Sequence, residues 1–173
     1  RPFDGAPGAW RRLHEHRHDY AVEPPVRTVL DALSEAGREV VAVGKIADIY
    51  AHRGITRSVP TRDDMDGVDR TIEALAGGVG GLVFANLVGF DAVYGHRRDA
   101  VGYAEALAAF DARLPALRAA LGPRDVLMLV SDHGNDPTWH GTDHTREHGL
   151  LLVTGPGVVG RPIPTRDSFA DVG

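Results

Sequence analysis

The sequence contains no cysteine, which excludes disulfide bonds and thiolate metal sites and leaves the redox compartment open. It has no excess of positive charge. With 19 Lys and Arg against 24 Asp and Glu, the formal net charge is -5, so nothing electrostatic favours nucleic acid or an acidic membrane as a partner. No apolar run approaches the ~18 residues of a membrane span, and no signal-peptide pattern opens the chain. A cytoplasmic protein is the resulting expectation. Internal repeats and low-complexity tracts are absent as well. There is no initiating methionine: the first residue is Arg1, and the last segment stops abruptly at Asp171-Val172-Gly173, which reads as a fragment. What is present is an ordinary globular composition, 43% apolar and 25% charged over 173 residues, enough for one domain with a real core.

The most unusual stretch is Ser131-Asp132-His133-Gly134-Asn135-Asp136-Pro137-Thr138-Trp139-His140-Gly141-Thr142-Asp143-His144-Thr145-Arg146-Glu147-His148. It gathers four of the nine histidines and three aspartates into one short run. Aliphatic runs at 126–130 and 150–153 flank it. Four or five consecutive aliphatic residues suit a strand of a parallel sheet covered on both faces. The polar run thus begins where a strand ends, at the sheet edge where open α/β folds bind ligands. Asp132-His133 followed by His144 offers hard oxygen and borderline nitrogen donors, a mixture suited to Zn, Mn or Fe rather than Ca or Mg. Gly134, Pro137 and Gly141 indicate a loop rather than a helix face. The bland alternative, a solvated loop with capping aspartates, fits a lone Asp-His-Gly, but such a loop has no need of so many imidazoles.

Along the chain, residues 1–25 read as irregular, with a basic cluster of Arg11, Arg12 and Arg17 interleaved with His14, His16 and His18. This is either a solvated lead-in or an anion-binding segment, since guanidinium groups hold phosphate bidentately. Thr28 is suited to N-cap a helix reaching Ala36, closed by Gly37. Residues 39–43 form the first strand, with Lys45 at its carboxyl end as either a loop charge or a phosphate ligand. A short helical turn is expected at 46–50, and a connector or short strand at 54–59. An amphipathic helix over 63–76 has Val68, Ile72 and Leu75 on one face. A second strand covers 82–88. Beyond its end lie Asp91 and His96, each also readable as an ordinary loop residue, and then a helix over 100–121 with Leu107, Phe110, Leu114 and Leu117 as its apolar stripe. Three strands thus deliver chemistry at their carboxyl ends: Lys45, then Asp91 and His96, then Asp132 and His133. Right-handed βαβ crossovers would gather those ends on one edge of one sheet. The expected class is α/β, a mostly parallel sheet with helices on both faces.

The motifs "FDAVYGHRRD" and "SDHGNDPTWHGTDHTREHG", with "RPF…PG", "VGKIADIY" and the terminal "FADVG", resemble the phosphopentomutase family of the alkaline phosphatase superfamily nearly end to end. The resemblance implies a partial alkaline phosphatase-like core interrupted by a cap. Residues 1–25 would be the return from the cap, and 26–173 part of the metal-binding core. It implies an isomerase, an intramolecular phosphotransferase interconverting ribose or deoxyribose 1-phosphate and 5-phosphate through a phosphothreonine and two divalent metals, manganese in that family. Its setting would be nucleotide and pentose phosphate metabolism, with a sugar phosphate as substrate and a sugar bisphosphate as activator. By the same resemblance, Asp91, His96 and His144 bind one metal, and Asp132 and His133 contribute to the other. Lys45 resembles a lysine that contacts the sugar phosphate, and Arg12 is a second substrate-binding candidate. Asp143 and Arg146, adjacent to His144, are expected to support the ligands from behind. The family's amino-terminal aspartate and its threonine nucleophile have no matching motif here, so this chain alone is expected to be inactive. The alternatives are another metal-dependent phosphatase, sulfatase or phosphoglycerate mutase of the same superfamily, or a fragment that binds metal or sugar phosphate without catalysis.

Overall fold

A computed structural model describes residues 3–12 and 20–173. The candidate anion-binding residues His14, His16, Arg17 and His18 lie outside the described residues, as does the side chain of Arg12. Two short strands, β1 (Phe3–Asp4) and β2 (Arg11–Arg12), pair antiparallel in the segment expected to be irregular.

The central element is β3 (Val40–Val43), whose four residues are all fully buried. Its β-branched side chains suit an inner strand, and each valine buried this completely stabilises the fold by about 1.5–3 kcal/mol. On one side β3 pairs in parallel with β4 (Arg57–Val59), and on the other with β5 (Leu82–Ala85), giving the order β4-β3-β5. Alternation along β3 sends its residues to two cores. Val41 and Val43 meet Ala74 of helix α3 (Asp64–Ala76), with Val59, Val79, Val83 and Ala85 packed around them. Ala42 meets Ile46 and Ala47 of the short helix α2 (Ile46–Ile49), with Tyr50, Ile55 and Phe84. Helices therefore cover both faces of the parallel sheet.

Helix α1 (Val29–Glu35) starts on the predicted cap. The Thr28 hydroxyl accepts from the Asp31 amide, and the Asp31 carboxylate accepts from the Thr28 amide at 2.7 Å, a reciprocal capping box. Asp31 also pairs with Arg53 at 2.9 Å. The long helix α4 (Ala100–Ala119) packs against α3 and carries Pro115 within it. Its inward stripe differs from the expected one: Leu107 drops out, and Tyr103 and Ala106 join it. Leu107 is about half exposed (49%), while Phe110, Leu114 and Leu117 are partly or fully buried, as are Gly102, Tyr103, Ala106 and Arg113.

The strands around the polar run depart from the sequence reading. β6 (Leu127–Val130) pairs with β7 (Leu151–Thr154) in an antiparallel ribbon, and this ribbon is separate from the parallel sheet. An aliphatic run looks the same whether its backbone bonds go to a parallel or an antiparallel neighbour. Here residues 131–150 turn the chain back, so that Val130 faces Leu151 and Leu127 faces Thr154. The carboxyl ends of β3 and β5 lie together at one sheet edge, while Asp132 and His133 approach from the ribbon. A terminal 3-10 turn, Phe169–Val172, closes the chain.

Candidate metal centre

Beyond β5 the chain enters a π-helical turn, Phe90–Gly95, where a loop was expected. The His96 amide donates to the Asp91 carbonyl at 2.9 Å, a bond between residues five apart. On an α-helix that spacing would put the two side chains roughly 140° apart around the axis. The wider turn instead lets the His96 Nε2 come within 3.1 Å of Asp91 Oδ2, and such turns recur at functional sites. The turn is held from two directions. The Asp64 carboxylate, whose protonation is favoured by burial, accepts from the Gly89 amide at 2.8 Å. Phe90 packs edge-on against Tyr103 and Phe110 of α4, with ring centres 6.1 and 6.2 Å away.

His144 comes to this turn from the polar run. Its Nε2 lies 3.1 Å from His96 Nε2 and 3.3 Å from Asp91 Oδ1. One donor atom from each of Asp91, His96 and His144 falls within 4.8 Å of the others. Donors bonded at ~2.1 Å to one ion sit roughly 3–3.5 Å from each other, so these separations fit a shared cation. The tautomer fits as well. His96 Nδ1 lies 2.5 Å from the Thr142 carbonyl, which can only accept; the N–H therefore belongs on Nδ1 and the Nε2 lone pair faces the cluster. Asp91 is oriented by Asn135, whose Nδ2 donates to Oδ1 at 2.6 Å. That approach needs Gly95, which is buried and whose missing Cβ would stand 2.8 Å from the Asn135 Cγ. One carboxylate and two imidazoles suit Mn, Fe or Zn.

The remaining candidates occupy different positions. The His133 ring stacks on His144 at 3.5 Å, and its Nε2 is 3.5 Å from Asp132 Oδ1, so this pair adjoins the three-donor cluster without joining it. The Asp132 side chain is largely exposed. Lys45 stands at the carboxyl end of β3, at the start of α2, after Gly44. Gly44 has a φ of +77°, and a Cβ there would come 2.7 Å from the Asn86 carbonyl of the neighbouring strand's exit. The side chains of Asp143 and Arg146 are exposed, and neither donates to or accepts from the three donors; Asp143 contributes only its backbone carbonyl, as an acceptor from Arg98.

Sequence reading missed the residues that do hold the donors: Asn135, Arg98, Asp64 and the Thr142 carbonyl. Asn135 sits inside the polar run and was in plain view. Arg98, in Arg97-Arg98-Asp99, carries no distinguishing signal, because a charged cluster before a helix is usually a solvated cap.

A family model described as the metalloenzyme superfamily matches residues 12–173. Across its full length the chain is 57% identical to a phosphopentomutase of Deinococcus radiodurans, covering 44% of that protein. It is 53% identical to phosphopentomutases of Legionella pneumophila (strain Lens) and Methylobacterium radiotolerans, covering 42% and 43% of them. The chain therefore spans less than half the length of these curated relatives. Among the described residues, no helix is long and apolar enough to cross a membrane.

Proposed function

Since this chain belongs to the metalloenzyme superfamily, we propose that it is the metal-binding part of a phosphopentomutase that interconverts ribose or deoxyribose 1-phosphate and 5-phosphate. The observation that carries this reading is the convergence of His144, from a distant segment of the chain, on Asp91 and His96. The names of the relatives support the choice of reaction. In this reading Asp91, His96 and His144 hold one divalent ion, and Asp132 and His133 contribute to a second, both manganese. Bound there, two such ions supply positive charge to the phosphoryl oxygens and ease the loss of a hydroxyl proton. Asp91 offers its carboxylate with Asn135 fixing its angle, and His96 offers Nε2 because Thr142 holds the proton on Nδ1. Lys45 and Arg12 hold the non-reacting phosphate by charge, since phosphoryl transfer depends mostly on positioning and charge stabilisation. The phosphoryl group passes from a phosphothreonine to one sugar hydroxyl, giving a sugar bisphosphate, and the other phosphate then returns to the threonine. That threonine has no matching motif in these residues and is assigned outside them. Residues 1–25 are read as the return from a cap and 26–173 as part of the core. The bisphosphate also serves as activator, and the protein works in the cytoplasm.

A substrate panel on the full-length protein tests the reading. Manganese-dependent conversion of ribose 1-phosphate into ribose 5-phosphate, without release of inorganic phosphate, is the expected result. Hydrolysis without isomerisation would move the assignment to a phosphatase of the same superfamily. The 173-residue chain alone, freed of contaminating enzyme, is expected to give no turnover.

A further inference from the structure

The polar run has little regular structure of its own. It is closed at its neck by the Gly134–Thr145 bridge and by the Asp136 amide donating to the Thr145 hydroxyl at 2.7 Å. Between these points residues 137–144 form an open lobe that carries His144, which must nonetheless meet His96 and Asp91 from outside. Most of the bonds that fasten this lobe to the turn come from one side chain. The Arg98 Nε donates to the Gly141 carbonyl, and Nη2 donates to the Asp143 carbonyl at 2.5 Å. Nη1 donates to both the Asp136 carbonyl and Asn135 Oδ1 at 2.8 Å. The carbonyl of Thr142, between Gly141 and Asp143, is taken by His96. Three consecutive carbonyls immediately before His144 are thus held by residues 96 and 98. Asn135 completes a relay, accepting from Arg98 with its oxygen and donating to Asp91 with its nitrogen.

We infer that Arg98 is the positioning residue of the metal centre: its guanidinium clamps the loop that carries His144 onto the turn that carries Asp91 and His96. A planar fork of five N–H donors reaches four acceptors set around it, whereas a lysine ammonium is a single point. Those same bonds occupy the guanidinium, so Arg98 is committed to the loop rather than open to a phosphate. Its backbone is also unusual, with φ at +57°, a conformation that non-glycine residues adopt rarely and that clusters at functional sites. There the chain leaves the π-helical turn, with the Arg98 amide bonded to the Gly95 carbonyl at 3.1 Å.

This inference rests on the reading that the three donors bind a divalent ion, and the test separates the two. Mn(II) affinity is measured by titration with electron paramagnetic resonance detection on the full-length protein and on Arg98→Lys, Arg98→Ala and Asn135→Ala. Far-UV circular dichroism and the melting temperature without metal check the fold. Loss of a supporting hydrogen bond to a ligand typically weakens metal binding about 10–100-fold. Both Arg98 variants are expected in that range, Asn135→Ala at the lower end, and added guanidinium at millimolar concentration is expected to restore part of the affinity in Arg98→Ala alone. That restoration distinguishes a clamp from a general loss of structure. If the unsubstituted protein binds and Arg98→Lys binds within about twofold of it, the clamp is wrong while the metal reading stands. If either Arg98 variant does not fold, Asn135→Ala decides, and unchanged affinity there overturns the relay to Asp91 on which the clamp depends. If the unsubstituted protein binds no divalent ion, the metal reading fails and the clamp falls with it.

Discussion

His144 is the side chain on which the donor set turns. Asp91 and His96 are close in sequence and meet through one local turn, but His144 arrives from a separate segment and reaches both, at 3.3 and 3.1 Å. His144→Ala therefore removes a ligand and leaves two that cannot enclose an ion. Calorimetric titration with Mn(II) is expected to show a loss of affinity larger than the ~10–100-fold typical of an outer supporting bond. His148→Ala, on an exposed residue of the same run, is expected to bind like the parent. Equal losses from both would mean that the run acts as a diffuse cation-attracting surface and not as a site. At this scale the sequence was informative about donors, but the support it suggested, Asp143 and Arg146, did not include Asn135 or Arg98. Carboxylates and imidazoles are few enough for a cluster to stand out. A supporting arginine is recognisable only by whom it touches, and the partners of Arg98 are mostly backbone carbonyls, which every residue has.

The helices were legible because caps and periodicity are local. Thr28 and Asp63 each accept a hydrogen bond from the amide three residues on, at the starts of α1 and α3. The start of α3 also carries a pH dependence. The Arg62 side chain, its amide and the Arg70 side chain all bond Asp66, holding its carboxyl well below the usual carboxylate range, with the Arg62 side chain the largest cause. The carboxyl of Asp31 is likewise lowered, first by the Thr28 amide. A carboxyl with a depressed folded pKa binds its proton more weakly folded than unfolded. Its contribution is thus complete above the unfolded value near ~3.9 and is lost as pH falls through the folded value. Urea denaturation from pH 6 to 2 is expected to show stability falling at the acid end, with a shallower fall in Asp66→Asn. An identical slope in the variant would remove Asp66 from the account. Two elements escaped the sequence reading for a different reason. The π-helical turn runs from Phe90 to Gly95 with Gly89 as its cap, and glycines so close together signal a loop. The pairing of β6 with β7 depends on how residues 131–150 turn back, which the composition of either strand does not encode.

Over the whole molecule, burial is uneven. β3 is sealed between two cores, yet the β6–β7 ribbon is only half covered. Paired residues of an antiparallel ribbon share a face, so the register puts exposed Met128 and Val130 on one side and exposed Leu152 on the other. Both sides therefore present apolar surface to water, with Val126 and Leu150 at the ends, each about half exposed. Contiguous exposed apolar surface of this kind marks an interaction site or an aggregation liability, and a net charge of -5 supplies only modest repulsion against association. The 173-residue chain, prepared alone, is thus expected to self-associate as concentration rises and to bind a hydrophobic dye. Charges on both faces of the ribbon, in Met128→Lys combined with Leu152→Lys, are expected to shift sedimentation toward the monomer and weaken dye fluorescence. Neither site lies in the donor cluster, so the circular dichroism of the parallel sheet and its helices should survive the change. Association undiminished in the double variant would mean that another surface is responsible, such as the half-exposed Leu107 or the exposed Val101 on α4.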